Sequence, residues 1–431
     1  MTSTIFAPGF KTVPYWWEAE QGNNVALHPL PSRCDVVIAG SGFTGLSAAL
    51  TLARAGREVV VIEAENPGFG CSTRNGGHIG SGIRNTYKEL VASHGREMAY
   101  AIKREGRDAY KYLLDLIAEE KIACGLSRNG HCIGAHTQRS VARLKALAES
   151  EPPDIEPFRF IAKDEARQEI GSSVFHGALV LPDRGGLDPK LYHMGLLQSV
   201  ERAGVKLVTR TTLLSIAGSP DNFSVSTSRG DIKSRNVLIA TNGYTRKATP
   251  WWQRRIIPIG SYMIATEPLN PDLVKSLFPK GYQMNDTRKV IYFYRASPDG
   301  RRVLFGGRVA LQETDPAFSA PRLHAAMAKV FPQLQNVRLS HSWMGFIAYT
   351  FDSLPHFGTH DGIHYAMGYC GNGISMSTYL GNKTANLLLK RTGADSVLKN
   401  RKFSTRPLYT GNPWFLAPAI AFYKARDLLW A

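Results

Sequence analysis

The chain has 431 residues, 43% of them hydrophobic and 20% charged. That is enough for two or three domains around a sizeable core, and too apolar for a disordered chain. Its 52 basic side chains outnumber 35 acidic ones to give a net charge of +17. The basic residues stand as singles and pairs, such as Arg254-Arg255 and Arg301-Arg302. That spread argues against a nucleic-acid footprint or a polybasic membrane patch and for a solubilising surface.

In chain order, the N-terminal "MTSTIFAPGFKTVPYWWEAEQ" lacks the basic start and apolar core of a secretion signal. The five cysteines, at 34, 71, 124, 132 and 370, include no CxxC pair. This suits a reducing cytoplasm, with no disulfide framework and no metal site.

"VVIAG" reads as a strand buried on both faces, and it runs into Gly40-Ser41-Gly42-Phe43-Thr44-Gly45, a GxGxxG. A helix follows, with Leu46, Ala49, Leu50 and Ala53 on one face and Gly56 as its stop. A second strand, Val59 to Ile62, ends in Glu63. Three glycines in six residues and the immediate return to strand pattern exclude a membrane helix; the unit is βαβ. Gly40 permits the tight turn, Gly42 clears space for a pyrophosphate, and Gly45 lets helix and strand pack closely. The backbone N–H groups at Phe43 and Thr44 face the phosphates, which the helix N-terminus favours. Glu63, with Ala64 beside it, sits where a carboxylate accepts hydrogen bonds from ribose hydroxyls and repels a 2′-phosphate.

The fingerprint serves FAD and NAD alike. A nicotinamide dehydrogenase would begin its next βαβ unit after Glu63, whereas here a glycine-rich loop carries Ser72, Arg74, Asn75, Gly76, Gly77 and His78. Such a loop can lie along an extended dinucleotide. "GFGCSTRNGG" (68 to 77) resembles the second FAD segment of the D-amino-acid-oxidase-like (DAO) flavoproteins, and is most similar to the "GFGASGRNGG" of the gamma-glutamylputrescine oxidoreductase branch. The resemblance extends to "YFYRASPDGRRVLFGGR" (292 to 308), "WMGFIAYTFDSLPHFG" (343 to 358), "MGYCGNGISMS" (367 to 377) and "PAIAFYKARDLL" (418 to 429).

The resemblance implies an α/β fold of the glutathione-reductase-2-like, DAO type: a Rossmann-like FAD-binding domain interleaved with an α+β substrate domain. Residues 1–90, 161–250 and 345–395 would form the FAD domain, 91–160 and 251–344 the substrate domain, and 396–431 a C-terminal extension. It places Leu213 near the adenine, and Ala240 and Asn242 on the other side of the dinucleotide. It aims the helix after Gly371-Asn372-Gly373-Ile374 at the flavin N1–C2=O edge. His78 makes a noncovalent contact with the cofactor, since relatives linked through histidine place it earlier, and no cysteine stands near Phe346 for a cysteinyl link.

Relatives of this kind oxidise a C–N bond of an amine or amino acid and pass the electrons to O2 or another acceptor. A C–OH oxidation and a non-enzymatic flavoprotein are the alternatives. Strand alternation puts Tyr292 and Tyr294 on one face and Arg295 on the other, and the two tyrosines are taken as catalytic candidates. Arg308 is the third, either as a bidentate ligand for a substrate carboxylate or as half of a structural ion pair. Trp343 and Tyr349 are pocket-wall or core aromatics. Ser375 stands where sarcosine-oxidase-like relatives have lysine, which favours a longer or gamma-glutamylated amine over a small N-methyl amino acid. The apolar run Trp414 to Tyr423 is too short to span a bilayer; it could lie in a membrane interface or cover the protein's own core, and it is taken to cover the core. The N-terminal "VPYWWE" (13 to 18) is expected to pack over the substrate domain or against a partner.

Overall fold

In the computed structural model, which describes residues 5–18, 28–308 and 313–429, Arg33–Ala39 and Val59–Ile62 lie side by side as parallel strands. Val36 stands opposite Val59 and Ala39 opposite Ile62. Val36 to Ala39 and Val59 to Ile62 are closed to water, as a parallel sheet with both faces covered requires. Lys206–Val208 extends the sheet on one side and Gly230–Ile239 on the other, and the latter pairs in parallel with Ile363–Met367. The hairpin Leu213–Ser219 and Asn222–Thr227, together with His356–His360, completes eight strands. The sheet thus gathers three separate stretches of chain.

Helices pack over it. The first, Phe43–Arg54, follows the glycine turn directly. Pro189–Arg202 begins with proline at its first position and is capped by Asp188, whose carboxylate accepts from the Lys190 and Leu191 N–H groups. The long helix Gly373–Leu388 crosses the first helix almost backbone to backbone, since a Cβ on Gly381 would stand 2.4 Å from the Thr44 carbonyl oxygen. Thr44 Oγ1 and Tyr369 Oη lie 2.6 Å apart, and Ser47 Oγ donates to the Thr378 carbonyl at 2.6 Å. The second bond joins the two helices, and the first ties the start of one to the segment that leads into the other.

A second, mixed sheet has nine strands. From one edge it runs Phe6–Lys11, Leu339–Tyr349, Ile257–Thr266, Val303–Gly307, Tyr292–Ala296, Gln283–Asp286, His131–Gly134, Ala178–Leu181 and Arg159–Ile161. Pro316–Val330 covers one face, burying Leu323, Met327 and Val330 against Tyr262, Tyr294 and Phe305.

Sheet membership does not follow the segment boundaries expected from the sequence. Phe6–Lys11 and Ala178–Leu181 belong to the nine-stranded sheet, the latter held by ladders to strands on both sides. Arg96–Glu119, expected over the second domain, lies on the helices of the first, with Ala99 and Ile102 packed among Met376, Tyr379 and Leu380. Cross-strand pairing and helix burial over long sequence distances decide these memberships, and neither is a local pattern. Among the described residues no helix is long and apolar enough to cross a membrane.

Candidate active site

One cavity of about 1010 Å³ lies between the two sheets and takes wall residues from both. Its innermost wall is the glycine turn. Gly40 has φ +106° and faces the Ala240 carbonyl, which would be 2.9 Å from any Cβ. A Cβ on Gly45 would sit 2.0 Å from the Gly40 oxygen and 3.3 Å from Ile38 Cγ2, so this glycine sets the contact between helix and strand and does not line the cavity. Gly42, Phe43 and Thr44 do line it. The first turn of the helix therefore opens onto the cavity with its N–H groups and partial positive charge.

At one end of the cavity Glu63 closes its strand. The Ser41 N–H and hydroxyl donate to its Oε2 at 2.9 and 2.7 Å, and the Glu65 N–H donates to Oε1 at 3.1 Å. The carboxylate thereby clamps the glycine turn as well as facing the cavity. Ala64 and Leu213 share this end, while Ala240 and Asn242 come from the end of the neighbouring strand. Asn242 has φ +44°, and its Oδ1 accepts from the Gly368 N–H at 2.9 Å, tying two strand ends together.

The loop 68–78 is sewn down by indoles. Trp17 Nε1 donates to Thr73 Oγ1 (2.9 Å), Trp343 Nε1 to the Arg74 carbonyl (2.8 Å) and Trp16 Nε1 to the Asn75 carbonyl (2.9 Å). Arg74 turns its guanidinium inward, donating to the Phe69 and Met344 carbonyls and covering the Trp17 and Phe69 rings. Asn75 caps its own loop, with Nδ2 donating to the Cys71 and Ser72 carbonyls while Oδ1 accepts from the Gly77 N–H. Ser72 Oγ accepts from the Phe43 N–H at 3.1 Å. Beneath the loop, the buried Arg295 donates to the Gly76, Gly77 and Leu187 carbonyls. Burial lowers its pKa to about 10. Gly77 has no room for a side chain, because a Cβ would meet the Leu187 oxygen at 2.2 Å, and it stays outside the cavity wall.

The sequence missed the role of Trp16 and Trp17; only their long-range indole bonds reveal it.

His78 borders the cavity with Gly76. Its ring meets His131 edge-on at 5.5 Å and Phe293 at 5.9 Å, and its buried Nε2 has no hydrogen-bond partner among the described residues. Burial, aided by the charges of His131 and Arg295, holds this imidazole well below its usual pKa. His131 is itself held at about 4 by burial, and its Nε2 pairs with Asn285 Oδ1. The cavity therefore has a neutral imidazole in its wall. Gly371 and Asn372 lead into the helix Gly373–Leu388, and with Gly373 and Ile374 they line the same cavity, so that the helix N-terminus opens on it. Ser375 lines it too, with a buried hydroxyl that no described group bonds.

On the substrate side the expectation for the two tyrosines changes. Tyr292 and Tyr294 share a face, but it is the core face: Tyr294 is wholly buried against Phe305 and Phe331, and Tyr292 packs on Phe305. The cavity side belongs to Phe293. Alternation gave the pairing but not its direction, because the helix Pro316–Val330 fixes which face is core. Arg308 borders the cavity as half of an ion pair, with Nη1 on the Glu313 carboxylate (3.0 Å) and the Gly260 carbonyl (2.6 Å). Trp343 is a loop anchor, while Tyr349 lines the cavity.

A dinucleotide fits these walls. The turn lacks a side chain where a diphosphate would rest, two helix N-termini open on one space, and a carboxylate stands at the far end. The volume lies at roughly the upper end of the 300–1,000 Å³ common for ligand sites, as an extended cofactor with its substrate needs.

Residues 35–387 match the profile of the DAO family, FAD-dependent oxidoreductases. This chain belongs to that family. It is 30% identical over 403 residues to the gamma-glutamylputrescine oxidoreductase of Escherichia coli K12, covering 92% of this chain and 93% of that one. A probable oxidoreductase, OrdL, of Rhizobium meliloti is 29% identical with 98% of each chain covered. Glycine oxidase from Geobacillus kaustophilus shares the fold at a TM-score of 0.73 and 20% identity, over 88% of this chain and 99% of that one. The DAO protein described here is thus an FAD-dependent oxidoreductase of α/β fold.

Proposed function

We propose that this DAO protein oxidises the C–N bond of an amine, a gamma-glutamylated amine or an amino acid to an imine. Water then hydrolyses the imine to an aldehyde or keto acid, and O2 or another acceptor takes up the electrons. Bound FAD supplies the hydride acceptor, flavin N5. The eight-stranded sheet and its helices would hold it, with the nine-stranded sheet roofing the substrate. Seating is noncovalent in this reading, with Gly42, Phe43 and Thr44 at the diphosphate and Glu63 at the ribose. Ser72, Arg74 and Asn75 act through the loop they shape.

The observation that carries the reading is His78. Hydride leaves only an amine whose nitrogen lone pair is free, so the substrate ammonium must first lose a proton. A neutral imidazole with an unused buried nitrogen in the cavity wall is placed to accept a hydrogen bond from an amine that enters unprotonated, and its lowered pKa keeps it from competing for the proton. Phe293, Met263 and Phe346 give the substrate lobe an apolar lining, which keeps water from the reacting carbon.

Anaerobic mixing of the holoprotein with a panel of amines, gamma-glutamylated amines, amino acids and hydroxy acids tests this. An amine should bleach the flavin absorbance, and an H78Q chain should bleach more slowly while keeping its flavin. Bleaching by hydroxy acids alone would replace the proposal with C–OH oxidation. Bleaching by none of them would leave a flavoprotein without this activity.

A further inference from the structure

The C-terminal helix, Leu416–Leu429, crosses the mouth of the cavity. Leu416, Ala419, Ile420 and Tyr423, spaced as one helical face, line the cavity itself. The opposite side is apolar as well. From Trp414 to Tyr423 the sequence has just two polar side-chain groups, the indole N–H and the tyrosine hydroxyl, yet Trp414 is 66% and Phe422 62% exposed. Leu408, on the approach to the helix, is 87% exposed. An apolar run that lines a cavity on one side and keeps Trp414 and Leu408 largely exposed on the other offers a surface that a second apolar phase can cover.

The surrounding charge says what kind. The chain has no carboxylate between Asp231 and Glu267, nor between Asp395 and Asp427. Folding brings parts of these two stretches together. Thr405 Oγ1 donates to the Arg254 carbonyl, Arg255 Nε to the Phe403 carbonyl at 2.8 Å, and Tyr409 Oη to the Ile256 carbonyl at 2.6 Å. Gly411 packs on the Gln253 side chain. Arg406 lies over Phe351, whose ring meets Tyr409, which in turn meets Phe415 at the helix start. Arg246, Lys247, Arg254, Lys402 and Arg406 are all exposed, and among the described residues none pairs with a carboxylate. Some of the positive charge that reads as scattered along the sequence thus comes together here, next to exposed indole and phenyl rings.

We propose that this face docks on an anionic lipid bilayer, with Trp414, Phe422 and Leu408 entering the interface and the five cations meeting lipid phosphates. Aromatic rings at headgroup depth and basic side chains around them are the two elements of interfacial binding, and each reinforces the other. The cavity mouth under the helix then faces the membrane.

The test is sedimentation of the FAD-loaded full chain with vesicles of phosphatidylcholine alone or mixed with phosphatidylglycerol. Binding should be at least about tenfold stronger to the anionic vesicles and should weaken with salt. The W414S/F422S chain should lose binding, and R254E and R406E should each weaken it about fivefold. None of these residues lines the cavity, so flavin content and melting temperature should stay as in the parent, which keeps misfolding apart from lost docking. Equal binding to both vesicle types, no binding, or full binding by W414S/F422S overturns the proposal. A parent dimer by light scattering that W414S/F422S converts to monomer also overturns it, by making a second copy the occupant.

Discussion

The glycine turn can be tested so that folding and cofactor binding separate. An ideal Cβ on Gly42 would lie 2.8 Å from Ser72 Oγ and 4.0 Å from Ser72 Cβ, with nothing else within contact distance. G42A must therefore push the Ser72 hydroxyl aside, straining the bond it accepts from the Phe43 N–H at 3.1 Å. The expected loss is about 1–2 kcal/mol of stability. S72A alone removes an acceptor at a helix N-terminus, at a cost of about 1 kcal/mol. In G42A/S72A the clash disappears, since the remaining Cβ is at ordinary van der Waals distance. The double variant should be more stable than the sum of the singles by about 1 kcal/mol. FAD should behave differently. A methyl group in the cradle takes the space of the diphosphate and forfeits one charge-assisted hydrogen bond, about 1.5–3 kcal/mol, or roughly 10- to 100-fold in affinity. Both G42A chains should show that loss, whatever their stability, while S72A shows less. Urea unfolding of the apoprotein gives the first quantity and titration of FAD into apoprotein the second. If G42A/S72A folds as described and binds FAD like the parent, the diphosphate does not rest on Gly42.

Y294F should leave turnover unchanged and raise stability by about 1 kcal/mol, because the Tyr294 hydroxyl is buried with no partner among the described residues; a fall in kcat would return this tyrosine to the site. E63A should cost about 2–4 kcal/mol of stability as well as FAD affinity, since the wholly buried Ser41 loses both its bonds to the carboxylate; loss of FAD with unchanged unfolding would show that Glu63 has no clamping role. Burial holds His131 and His193 at about 4, below their usual range, so the unfolded chain takes up their protons first. Stability is unaffected by them above about pH 6.5 and is lost as pH falls from there toward 4, the loss reaching about 2 kcal/mol each by about pH 5. Urea midpoints that stay level between about pH 7 and 5 would contradict this.

Local spacing carried the cofactor half of the protein. A strand, three glycines, a helix and an acid within one βαβ unit leave few ways to fold: Gly45 answers a contact inside that unit, against Gly40, while Gly40 and Gly42 leave room for Ala240 and Ser72 arriving from outside it. The glycine-rich loop that follows is equally legible as a cofactor segment, but its donors are not. Arg74 and Asn75 spend their hydrogen bonds on the loop itself, and the residues that hold it, Trp16, Trp17 and Trp343, come from both ends of the chain.

Direction and neighbourhood were decided by tertiary packing. Alternation on Tyr292–Ala296 is a local fact, but the face that becomes core depends on a helix arriving from residues 316–330. The basic residues at 246–254 and 402–406 are singles and pairs in sequence; they become one surface because hydrogen bonds more than 140 positions apart join their segments. Periodicity can specify what a segment is, since its determinants lie within a few residues. Which segments meet is set by burial shared between distant parts of the chain, and that is written in no single stretch of it.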